Sequence, residues 1–133
     1  MIALRAVLLC ESVRVDVDGK LTLFGVFSEM LVAHAGEGPI KPPSFAVLAV
    51  VKGLRGMGRV GIAHQIRLAH LGAWQLPLAH HDHDPEHDEH NFIFSRTDLV
   101  LPETGRYAID IDVAAGAETL RASHDFHVLR VSG

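Results

Sequence analysis

Between Tyr107 and Val113 the chain alternates without a break, with Tyr107, Ile109, Ile111 and Val113 on one parity and Ala108, Asp110 and Asp112 on the other. Successive side chains of a strand point to opposite faces, so this period of two buries one face and leaves the other acidic. Val60, Ile62, Ile66 and Leu68 alternate in the same way with Gly61, Ala63, Gln65, Arg67 and Ala69. Ile62 and Ile66 are also spaced as on a helix, but alternation accounts for more of these positions. Asp18-Gly19 favours the positive φ of a tight turn, which makes Val13–Val17 and Leu21–Phe27 an antiparallel pair. Phe45–Val51 reads as a fully buried strand. Ala73–Leu78 and Asn91–Phe94 read as further strands, Leu101–Gly105 as a turn, and Thr119–Ala122 with Phe126–Val131 as the closing strands. About eight or nine short strands and no long helical pattern predict an all-β chain, a mostly antiparallel β-sandwich with a small β-barrel as the alternative. One domain spanning residues 1–133 is expected at this length.

Composition excludes several function classes. Apolar residues make up 48% and charged residues 21%, a globular balance. The net charge is −4 and the twelve Lys and Arg residues are scattered, so no basic footprint for nucleic acid is present. The longest apolar run, Phe45–Val51, has seven residues against the roughly 20 that a membrane helix needs, so no membrane partner is expected. Ile2–Cys10 does not read as a secretory signal, because Arg5 interrupts it and Glu11 ends it without a small-residue cleavage site. Cys10 is the single cysteine, which rules out an internal disulfide and a cysteine-rich zinc site. A cytoplasmic protein is the expectation.

The densest chemistry lies in residues 80–90, where five of the ten histidines and five carboxylates fall within eleven residues. In extended conformation His81 and His83 project to one side with Cα atoms about 6.5 Å apart, close enough for two imidazoles to approach one metal. Alternatively Asp84 caps a short helical turn with Pro85 first in it, and His87 and His90 share a face. The candidate metal ligands are His81, His83, His87 and His90, assisted by Asp84 or Glu86; Zn²⁺ or Ni²⁺ suits the imidazoles. The run also titrates near pH 6 to 7, which would make it pH-responsive. The competing reading is a solvated hairpin loop or an acidic strand edge that discourages aggregation.

Other motifs are incomplete. His81-Asp82-His83 supplies the H-x-H pair of a cupin metal enzyme, but the glutamate expected beyond it falls on His87 or Asp88, and the second cupin motif is missing. Gly56-Met57-Gly58-Arg59-Val60-Gly61 matches G-x-G-x-x-G, yet the segment after it alternates like a strand, so a hairpin loop is the better reading. Ser123-His124-Asp125 has the residue types of a catalytic triad, but neighbours on a strand face opposite ways. His64 and His70 interrupt the apolar parity of their strand and read as core or rim histidines, with the completion of a metal site as the alternative for either.

Two stretches carry a family resemblance. Cys10-Glu11-Ser12, then Asp18-Gly19-Lys20 and Gly25-Val26-Phe27, resembles the opening of a family of small uncharacterised bacterial proteins with a D-G-K hairpin and a strand ending in G-V-F. Leu101-Pro102-Glu103-Thr104-Gly105-Arg106-Tyr107 is similar to that family's L-P-x-x-G-x-Y turn. The resemblance implies a β-sandwich and carries no reaction or site residue. The functional expectation is therefore a non-enzymatic binding or assembly module, partnered by a second copy or by another protein. Metal binding or pH response through residues 80–90 is the alternative, and a cupin-like enzyme comes last.

Overall fold

The computed structural model describes residues 1–27, 30–34, 38–42, 44–70 and 76–131. Ten strands form among them: β1 (Ala3–Cys10), β2 (Ser12–Val15), β3 (Leu21–Phe24), β4 (Met30–His34), β5 (Phe45–Lys52), β6 (Arg59–Leu68), β7 (Ala79–Asp82), β8 (His90–Arg96), β9 (Gly105–Ala115) and β10 (Glu118–Val131). The sheets run β1-β5-β8 and β4-β10-β9-β6-β7, with β2-β3 as a separate ribbon. Pairing is antiparallel except for β4 with β10, which is parallel. This is the expected all-β, mostly antiparallel sandwich, and no closed barrel occurs among the described strands.

The alternating parities do what their pattern predicts. Tyr107, Ile109, Ile111 and Val113 of β9 pack with Val60 and Ile62 of β6, Phe126 and Val128 of β10, and Phe45, Val47, Ala49 and Val51 of β5 in one core. Each such aliphatic or aromatic side chain, when fully buried, contributes about 1.5–3 kcal/mol of transfer free energy. The opposite parity of β9 is acidic but not wholly wet. Asp110 is 0% exposed. Arg67 donates to it through Nε at 2.5 Å and Nη2 at 3.2 Å, Ser123 through Oγ at 2.6 Å and Gln65 through Nε2 at 3.2 Å. Ser123 thus serves Asp110 on β9.

Both resemblance motifs have local physical reasons. The Asp16 carbonyl accepts from the Gly19 N–H at 2.9 Å, and Gly19 takes φ +83°, so a tight turn closed by a left-handed glycine joins β2 to β3. Gly25, at φ +62°, ends that ribbon and lets Phe27 bridge to Leu9 and pack against Phe45, with ring centroids 5.7 Å apart. In the later motif the Tyr107 hydroxyl donates to the Glu103 carbonyl at 2.6 Å and lies 3.3 Å from the Glu103 N–H, which donates to it. The L-P-x-x-G-x-Y segment is therefore a corner that its own tyrosine ties shut.

Three expectations change. The segment Gly56–Gly61 does not close a hairpin, because β5 and β6 pair in different sheets; its first three residues end the crossover 53–58 between the layers and the rest open β6. Thr119–Ala122 and Phe126–Val131 are one continuous strand, paired with β9 from Glu118 to Val128 and with β4 from His127 to Val131. For Ala73–Leu78, residues 73–75 lie outside the described residues and 76–78 are not strand; the strand is β7, four residues long.

Candidate functional site

The histidine-rich segment is also a crossover. β7 pairs with β6 in the five-stranded sheet, whereas β8 pairs with β5 in the three-stranded one, so residues 83–89 carry the chain between layers. It is not the loop of a hairpin. Backbone bonds pin it to the neighbouring crossover 53–58: the Leu54 N–H donates to the Asp88 carbonyl at 2.9 Å, Gly56 N–H to Pro85 O at 2.8 Å and His83 N–H to Gly58 O at 3.0 Å. Arg5 holds the far end through its Nη1, which donates to both carboxylate oxygens of Glu89 at 2.7 and 2.9 Å. Asp84 and Pro85 open a single turn: His87 N–H donates to Asp84 O, and Glu86 N–H to Asp84 Oδ1, each at 3.0 Å.

Within this frame His83 is 6% exposed and both its ring nitrogens are engaged. Nε2 lies 2.8 Å from the His87 carbonyl, and Nδ1 lies 2.9 Å from Nδ1 of His90. A carbonyl only accepts, so His83 Nε2 carries a proton. With both rings neutral, His83 Nδ1 is then bare and His90 Nδ1–H donates to it. Burial pushes the His90 pKa below its usual value, and the nearby rings of His83 and then His81 push it further down.

β7 and β8 are the edges of their sheets on the same side of the sandwich, and a groove of about 540 Å³ opens between them. Period two builds its walls. His90, Phe92, Phe94 and Arg96 share one parity of β8; Ala79 and His81 lie opposite Ile62 and Val60 in register; and His64 occupies the core-facing parity of β6. The imidazoles lean on the phenyl rings. His90 stacks on Phe92 with centroids 4.4 Å apart, His81 meets the same ring edge-on at 5.5 Å, and His64 stacks on Phe94 at 3.9 Å. Nε2 of His64 is buried with no hydrogen-bond partner. Burial, and then the charge of Arg96, hold the His64 pKa below its usual value.

The expected metal ligands divide between two surfaces. His81 lines the groove, and His90 lines both the groove and a hollow of about 240 Å³ outside the turn. His83, Asp84, His87 and Glu89 share that hollow with His90. His87 is exposed and lies 3.5 Å from an Asp84 carboxylate oxygen, while Glu86 is exposed and does not line the hollow. Among the described residues, no three His, Cys, Asp or Glu side chains are placed to hold one metal ion. The sequence pattern pointed to the run at 80–90, offered His64 only as an alternative ligand to complete a metal site, and did not bring Phe92 or Phe94 into the site. The available signal was an imidazole on an otherwise apolar parity.

No helix among the described residues is long and apolar enough to cross a membrane. A family model matches residues 5–128, nearly the whole chain and both motifs above: the protein belongs to DUF6941, a family of unknown function. No curated protein matches the chain.

Proposed function

Starting from membership of a family with no assigned activity, we propose that this protein is a non-enzymatic binding module and that the groove between β7 and β8 is where it binds. The observation that carries the reading is the groove itself, about 540 Å³ between two sheet edges and walled by Ile62, Phe92 and Phe94 together with the imidazoles of His64, His81 and His90. It supplies what recognition needs, flat apolar surfaces with a few placed polar groups. The single free, buried thiol of Cys10 supports a cytoplasmic setting.

An assembly role draws on a different surface. Val15, Val17, Phe24 and Val26 are exposed on and beside the β2-β3 ribbon, a concentration of apolar surface suited to a second copy or another protein. Light scattering of the wild type beside Val15→Ser/Phe24→Ser tests it: a mass that falls in the variant supports assembly, and a monomer in both contradicts it.

The hollow favours a second reading, a divalent-metal or proton-responsive crossover built on His83, His87, His90 and Asp84. Zn²⁺ or Ni²⁺ would draw His90 away from His83 to gain its nitrogen. Calorimetry on chelator-stripped protein decides this reading: stoichiometric binding lost in His87→Ala/His90→Ala supports it, and weak binding unchanged in that variant contradicts it.

The binding reading itself is tested by titrating a fragment library into the full chain and following backbone amide shifts. Shifts clustering at 62–64, 79–81 and 90–94 are expected. Shifts confined to other surfaces, or none across the library, would refute it.

A further inference from the structure

The groove runs along bare strand edges. All five residues from His90 to Phe94 line it, and since successive residues point to opposite faces, a groove touching all of them follows the edge of β8 rather than one face. β8 is the last strand of its sheet, and among the described residues no strand pairs with its outer edge. Across the groove β7 pairs with β6 from Arg59 to Ile62 and stops, so among the described residues β6 presents a second bare edge at Ala63 and His64, which line the groove too.

Free edges invite pairing and are commonly blunted. β1 is broken by a register shift between Leu4 and Ala6 and bridged from Leu9 to Phe27, and β7 is four residues long. β8 carries no such interruption. It runs seven residues, His90–Arg96, pairs with β5 without a register shift and contains no proline or lysine.

Building on the binding reading above, we propose that the ligand of the groove is an extended peptide segment of a partner protein, added to β8 as an antiparallel strand, with alternate apolar side chains followed by basic ones. Antiparallel pairing is the more stable per residue, and it runs the peptide from Arg96 towards His90. Its apolar side chains become cross-strand neighbours of Phe92 and Phe94. Its C-terminal end leaves at His90 and Asn91, which the groove shares with the outer hollow. The carboxylates of Asp84 and Glu89 line that hollow. Glu89 is paired with Arg5, whereas Asp84, its side chain 58% exposed, lies 3.5 Å from His87. A lysine or arginine is the complement of that end.

The experiment titrates the full chain with the acetylated, amidated peptide Ser-Val-Thr-Val-Thr-Val-Lys-Lys and follows backbone amide shifts, expected at 90–96. N-methylation at the valines blocks one edge of the peptide and N-methylation at the threonines the other; at least one of the two should bind about tenfold or more weaker than the parent. The reversed order, and a peptide with serine in place of both lysines, should each bind about two- to fivefold weaker. Asp84→Asn keeps the acceptor of its turn; it should weaken the parent peptide by a similar factor and leave the serine peptide unchanged. Parent-like binding of both N-methylated peptides would overturn strand addition while leaving the binding reading in place. Equal binding of the reversed order would overturn the placement of the basic end, and with it the proposal. Amide shifts at 90–96 that move with protein concentration, and not with peptide, would assign the edge to a second copy and overturn the inference. Library fragments that bind the groove where no peptide does would overturn the inference alone; failure of both would count against the binding reading as well.

Discussion

Nδ1 of His83 and Nδ1 of His90 lie 2.9 Å apart, and a carbonyl on the far side of His83 fixes which nitrogens carry protons. The facing nitrogens share one proton; a second would set N–H against N–H. This contact ties the crossover to the groove wall, because the His90 ring is also the one stacked on Phe92.

Removing His83 should therefore loosen both. In His83→Ala the His87 carbonyl and His90 Nδ1 lose their partner in a nearly water-free position, at an expected cost of about 1–3 kcal/mol in urea denaturation. A double-mutant cycle of His83→Ala with His90→Ala should give a coupling of about 0.5 kcal/mol or more; additive losses would show that the contact contributes nothing.

Stability should fall on mild acidification. His64 and His90 both have folded-state pKa values below the usual 6.5, chiefly through burial. As pH drops through 6.5 the unfolded chain takes up protons that the folded chain refuses, so stability is full above that pH and declines below it towards the folded values. Denaturation midpoints measured from pH 8 to pH 5 should decrease through this window, and less so in His64→Phe. A flat profile across pH 7 to 5 would contradict the burial of these rings.

Asp110 tests the outer face of the five-stranded sheet. Asp110→Ala leaves Arg67, itself only 16% exposed along its side chain, without its carboxylate and should cost about 3 kcal/mol or more. Asp110→Ala/Arg67→Met should recover part of that loss. Equal stability of the wild type and Asp110→Ala would show the network to be idle.

The corner tyrosine makes a smaller prediction. Tyr107→Phe keeps the buried ring but removes the bond to the Glu103 carbonyl, for an expected loss of about 0.5–1.5 kcal/mol. No change in thermal midpoint would mean that the hydroxyl does not hold the turn.

Local pattern carried the strands well and their partners poorly. Alternation from Tyr107 to Val113 and from Val60 to Leu68 reads directly as half-buried strands, because the period of two is a property of each segment alone. Pairing is a property of distant segments. Nothing within residues 80–90 says that β7 joins one sheet and β8 the other, so a crossover looks like a hairpin loop. For the same reason the run invites a self-contained metal site, while the structure places His81 in one groove with His64, seventeen positions earlier, and leaves His87 outside.

The most direct test of the account is a crystal structure of the protein soaked with the tightest-binding member of the fragment library. The account predicts density lying along Phe92 between β7 and β8. Density on the β2-β3 ribbon or in the outer hollow, with the groove holding only solvent, would contradict it.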